Sequence, residues 1–141
     1  MRILIATFCD AGRAQGDRLD VLGAGVRVFF TPFAPVELKV SLATLVSTDE
    51  TEIGTKQKAY IRFFDADMSQ IGEIALIYTT WKADRPGIGT QFAKVTPLKI
   101  MLPKAGTYLV RIAIGDEIVT EWPIELRLQS EDAAPFRTSN E

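Results

Sequence analysis

Val36-Glu37-Leu38-Lys39-Val40-Ser41-Leu42-Ala43-Thr44-Leu45-Val46 repeats its apolar character at every second position. Val36, Leu38, Val40, Leu42, Thr44 and Val46 fall on one set of alternate positions, and Glu37, Lys39, Ser41, Ala43 and Leu45 on the other. In an extended chain successive side chains point to opposite faces, so this period predicts a strand with one face in a core. Outward from it the pattern recurs. Leu98, Ile100 and Leu102 alternate with Lys99 and Met101. Tyr108, Val110, Ile112 and Ile114 alternate with Leu109, Arg111 and Ala113, and Trp122, Ile124, Leu126 and Leu128 with Pro123, Glu125 and Arg127. The β-branched and aromatic content of these runs suits a pleated surface. No segment carries a helical period.

Turn signals separate the runs. Gly115-Asp116-Glu117 lies between Ile112–Ile114 and Ile118–Thr120, where glycine can take the positive φ of a tight hairpin. Asp65-Ala66-Asp67-Met68-Ser69-Gln70 divides Tyr60–Phe64 from Gly72–Trp81, and Thr48–Glu52 and Lys82–Thr90 read as loops. The result is about eight or nine strands, the spacing of an all-β, single-domain, two-sheet antiparallel sandwich. Leu102-Pro103-Lys104-Ala105-Gly106-Thr107-Tyr108 looks like the late hairpin of immunoglobulin-like sandwiches, whose tyrosine anchors a sheet corner. The sandwich is expected over residues 1–129. Ser130–Glu141 is polar and aperiodic and is expected to be a flexible tail.

At 141 residues the chain fits one domain with a core large enough to need no staples. Sixteen basic and eighteen acidic residues give a net charge of −2. That balance argues against a nucleic-acid binder and gives no reason to expect an anionic membrane as partner. The single cysteine, Cys9, closes no disulfide within the chain. No apolar run approaches a membrane span or the core of a signal peptide, so the cytoplasm is the expected compartment.

The N-terminal segment is expected to be a hairpin. A strand ends at Phe8, a turn contains Gly12 and Gly16, a second strand covers Leu19–Leu22, and Gly23 and Gly25 mark a bulge or a close backbone approach. Gly23-Ala24-Gly25 is only a fragment of a dinucleotide fingerprint, with no third glycine and no following helix. Asp10-Ala11, Gly16-Asp17-Arg18-Leu19 and Leu22-Gly23-Ala24-Gly25, with the later Leu102-Pro103 to Tyr108, resemble the pattern of a family of small bacterial proteins. That resemblance implies a β-sandwich and brings no assigned activity.

Catalytic chemistry has few places to reside. There is no histidine, which removes Ser-His-Asp and Cys-His nucleophile pairs and His-based metal sites. Cys9 has Asp10 as its neighbour, which raises a thiol pKa rather than lowering it. The carboxylate groups Asp65/Asp67, Asp49–Glu52 and Asp116/Glu117 fall in turns. Asp65/Asp67 or Asp10, Asp17 and Asp20 could contribute oxygen ligands to calcium, without the run of a dedicated loop. No cofactor is implied.

Phe29-Phe30-Thr31-Pro32-Phe33 cannot turn every ring inward, since Phe29 and Phe30 face opposite sides of any strand they share. Phe29, Phe30, Phe33 and Trp81 are therefore the candidate interface residues, against the alternative of a core plug. Tyr60–Phe64, apolar on both faces, fits a central strand or a pairing edge. The first expectation is a non-catalytic protein-interaction or self-assembly module of a bacterium or phage, whose partner is another protein or a second copy. The alternative is a calcium- or small-molecule-binding sandwich using loops at one end. An enzyme of carboxylate-only or Lys/Tyr mechanism ranks last.

Overall fold

The computed structural model describes residues 1–79 and 90–129. Ten strands follow in chain order: β1 (Arg2–Cys9), β2 (Ala11–Gln15), β3 (Arg18–Leu22), β4 (Val28–Thr31), β5 (Val36–Thr48), β6 (Lys56–Phe64), β7 (Gln70–Thr79), β8 (Thr90–Leu102), β9 (Gly106–Ile114) and β10 (Glu117–Leu128). Among the described residues the only helical element is a single 3₁₀ turn, Glu50–Glu52, inside the polar segment expected to be a loop. The expected sandwich is present. A three-stranded sheet, β1-β5-β8, packs on a five-stranded sheet, β4-β10-β9-β6-β7, and β2 and β3 form a separate ribbon.

The alternation read from the sequence sets the core. Leu38, Leu42 and Val46 of β5 and Leu98, Ile100 and Leu102 of β8 face Ala59, Ile61 and Phe63 of β6 and Tyr108, Val110 and Ile112 of β9. Side chains such as Leu42, Phe63 and Ile112 are fully buried, each worth about 1.5–3 kcal/mol of transfer free energy. Phe8 closes one flank, edge-on to Trp122 with ring centroids 5.2 Å apart. Tyr60–Phe64 resolves as part of a central strand, because β6 pairs with both β7 and β9.

Tyr108 makes the expected corner. Its buried ring sits in the core while its hydroxyl donates to the Lys104 carbonyl and accepts from the Lys104 N–H. The turn before β9 is thereby tied to the strand it feeds.

Two features differ from the sequence reading. Gly12 is not in a turn but inside β2, paired with Val21. A Cβ at Gly12 would come within 2.9 Å of a Val95 methyl, so this glycine marks a close approach to β8. The true turn is Gly16-Asp17, closed by the Gln15/Arg18 pair, with Gly16 at φ +59°. The hairpin therefore yields one more strand than expected, and it lies across the outer face of β5 and β8, where Ala43 is fully buried. Also, β4 runs parallel to β10. They are far apart in sequence, so no hairpin fixes their relative direction.

Candidate interaction site

β4 is four residues long and, among the described residues, pairs on one side only. Its alternation settles where the expected interface residues go. Phe29 turns inward, edge-on to Phe8 at 6.5 Å, while Phe30 is 64% exposed. Phe33 is 65% exposed and so plugs no core. The Thr31 hydroxyl donates to the Phe33 carbonyl at 2.9 Å, which fixes the bend after β4, and Ala34-Pro35 is a cis peptide. Val28 adds exposed apolar surface beside Phe30, while Leu128, also exposed, stands opposite Thr31 at the other end of the β4–β10 ladder. Trp81 lies outside the described residues, as do the Lys82–Gly89 segment and the Ser130–Glu141 tail.

A groove of about 660 Å³ opens at this corner. One wall is Val28, Phe29 and Phe30, and the other is Lys39, Val40 and Ser41 of β5 with Leu98 and Lys99 of β8. It exists because β1 stops early. β1 pairs with β5 from Arg2/Ser47 down to Cys9/Ser41. There Asp10 turns the chain away into the β2–β3 ribbon, its N–H donating to the Leu22 carbonyl. Val36–Val40 therefore has β8 on one side and no strand on the other among the described residues.

The hydrogen-bonding phase of that edge follows from its neighbours. A residue in a strand sends its N–H and C=O to the same side, and the next residue sends them to the opposite side. The Ala93 N–H donates to Gly16 at 2.8 Å, away from β5, so the odd residues of β8 face away and the even ones pair with β5. The register is unbroken from Thr48/Thr90 to Val36/Leu102. Val36, Leu38 and Val40 thus spend their backbone groups on β8, while those of Glu37 and Lys39 point to the open edge, and Lys39 lines the groove. The other side agrees: Phe8, opposite Leu42, directs its carbonyl away from β5 to the Gly25 N–H at 2.9 Å.

Elsewhere the sequence candidates are occupied structurally. The Asp65 carboxylate accepts from the Asp67 and Ser69 N–H groups at 3.0 and 2.9 Å, which closes its turn. Asp20 pairs with Arg18 at 3.1 Å. Among the described residues no three carboxylates or thiols gather as a metal site. Cys9 is buried, with its Sγ 3.6 Å from the Ser41 carbonyl. Burial first, and the Asp10 carboxylate second, push its thiol pKa up. Gly23 proves to be a close approach: a Cβ there would lie 2.1 Å from the Asp10 carboxylate. On the outer face of the large sheet, Arg62 pairs with Glu73 and Arg111 with Glu121. The same arginines lie over the Tyr60 and Phe64 rings, so that face is satisfied internally.

The chain matches the model of a family of unknown function (DUF6941) over residues 4–127. It belongs to that family. The match agrees with the resemblance carried by the N-terminal glycine and aspartate pattern, which brought no activity. Among curated proteins no relative matches the chain. Among solved structures it is similar to an immunoglobulin-like protein from Pseudomonas aeruginosa. The identity is 9% and the TM-score 0.43, with 89% of this chain and 95% of that one covered. Among the described residues no helix is long and apolar enough to cross a membrane.

The edge at Glu37 and Lys39 was not among the sequence candidates. Its own residues carry no mark of being unpaired. The signal lay in Asp10-Ala11-Gly12, where the chain leaves β1.

Proposed function

We propose that this chain is a non-catalytic interaction or self-assembly module of a bacterium or phage. It works in the cytoplasm, with neither nucleic acid nor membrane as partner, through the corner between β4 and the open edge of β5. One observation carries the reading: exposed apolar side chains and unpaired strand edge meet at one groove. Val28 and Phe30 supply exposed apolar surface on one wall of the groove, Phe33 is exposed three residues beyond Phe30, and the backbone groups of Glu37 and Lys39 have no strand partner among the described residues. Exposed aromatics are typical interface anchors, and a free strand edge is a template for strand addition.

The test is absolute mass by light scattering across a concentration series, for the native chain and for Phe30→Ser/Phe33→Ser, with and without calcium. Concentration-dependent association that the double substitution weakens is the expected result. Association untouched by the substitutions would remove this corner from the reading. A rise in melting temperature with calcium would favour the ion-binding sandwich instead.

A further inference from the structure

The open edge of β5 carries a sequence that complements itself. Val36-Glu37-Leu38-Lys39-Val40 reads apolar, acidic, apolar, basic, apolar. An antiparallel strand of the same sequence, related by a two-fold axis at Leu38, places Glu37 opposite Lys39 of the second copy and Lys39 opposite its Glu37. Val36 then meets Val40, and Leu38 meets itself. Opposite charges directly across an antiparallel pair are favourable, and like charges are not.

We infer that the groove receives a second copy of this chain, the two β5 edges pairing through Val36–Val40. This rests on the interaction reading above and names its partner.

Three observations converge on that register. The backbone phase is right, since Glu37 and Lys39 present their N–H and C=O groups to the open edge and would form the narrow hydrogen-bonded pairs on either side of the axis. The charges are available: the Lys39–Glu37 contact within the chain is only 4.0 Å, with side chains 71% and 47% exposed. Moreover, Lys39 sits directly opposite Lys99 of β8, a like-charge pair that shares the groove with a single carboxylate, Asp10, among the described residues. The second copy's Glu37 arrives on that side, giving a row Lys99–Lys39–Glu37–Met101 across the joined sheet. The length also fits. β1 occupies the edge from Ser41 onward, and the partner strand would leave at its own Pro35, the residue that would stand opposite Ser41. The approach brings the second copy against Val28 and Phe30 on the far wall. An isologous contact of this kind closes as a dimer and does not propagate.

Charge reversal tests this without disturbing the core, because both side chains are exposed. Glu37→Lys alone sets lysine against Lys39 in both symmetric pairs, and Lys39→Glu alone sets glutamate against Glu37. Each variant should weaken the dimer roughly 10- to 30-fold by sedimentation or light scattering. Their equimolar mixture should restore association as a heterodimer, since lysines of one copy then face glutamates of the other. Melting temperatures of the separate variants, measured first, confirm that each is folded. A native dimer indifferent to both reversals, or a mixture that fails to reassociate, overturns the β5 pairing while leaving self-assembly through another surface. A native chain that stays monomeric throughout overturns the pairing and self-assembly together, and the interaction corner is then judged on a foreign partner alone.

Discussion

Gly23 and Gly25 allow the backbone conformation and the space around one bend to be separated. Both have positive φ, +66° and +81°, a region that costs a side-chain-bearing residue about 1–2 kcal/mol. At Gly25 an added Cβ meets nothing within 4 Å, so Gly25→Ala should cost only that conformational amount. At Gly23 the Cβ would lie 2.1 Å from Asp10 Oδ2 and 2.7 Å from its Cγ. The carboxylate must swing away, adding roughly 1–3 kcal/mol of overpacking. Gly23→Ala is therefore expected to destabilise by about 2–5 kcal/mol, against about 1–2 for Gly25→Ala. Truncating the obstacle should recover the difference. Asp10→Ala leaves only its Cβ, 3.2 Å from the new methyl, so Asp10→Ala/Gly23→Ala should show a coupling of about 1–2 kcal/mol in a double-mutant cycle. Urea unfolding at one fixed protein concentration is the assay, because self-association would itself move the midpoint. Equal costs for the two alanines, or an additive cycle, would refute the claim that Gly23 is required by the approach of Asp10.

Tyr108→Phe keeps the buried ring and deletes the hydroxyl held by Lys104; it should cost about 1–2 kcal/mol and lower the melting temperature by several degrees. Phe30→Ser and Phe33→Ser, at positions 64% and 65% exposed, should change stability by no more than about 0.5 kcal/mol while reducing self-association. Cys9, buried and with its pKa raised, should resist alkylation at pH 8 in the native chain and react at an ordinary rate in denaturant; rapid native modification would contradict its burial.

The sandwich was legible because its cause is local. Leu38, Leu42 and Val46 need only alternation to reach one face, and Leu98–Leu102, Tyr108–Ile114 and Trp122–Leu128 repeat the rule. Tyr108 was legible for a similar reason: Pro103 and Gly106 bring the chain around so that its hydroxyl meets Lys104 four residues back. Glycine was harder to interpret. Gly16 and Gly115 make turns, as expected of them, but Gly12 is in a strand because Val95, far away in sequence, leaves no room for a side chain. The interface reading needed only strand parity to put one of Phe29 and Phe30 outside, and that one is Phe30. It missed Lys39 and its edge, because an edge is a property of which strand fails to arrive, and neither β5 nor its pattern records that.

The treatment of the other edges makes the β5 gap informative. An exposed strand edge invites uncontrolled pairing, and folded proteins close or blunt it. On the far side of β8, Ala93 is bonded to Gly16, and Pro97, whose missing N–H would point outward in this phase, offers no donor. On the free side of β1, Gly25 caps the Phe8 carbonyl and a register shift between Ile3 and Ile5 disturbs the ladder. At β7, the Lys94 ammonium donates to the Ile77 carbonyl. β4 is protected by brevity. Val36–Val40 keeps a regular register, and its device is charge: Glu37 and Lys39 oppose pairing with most strands yet complement each other in one antiparallel register. In the pairing proposed above, those opposite charges select the register.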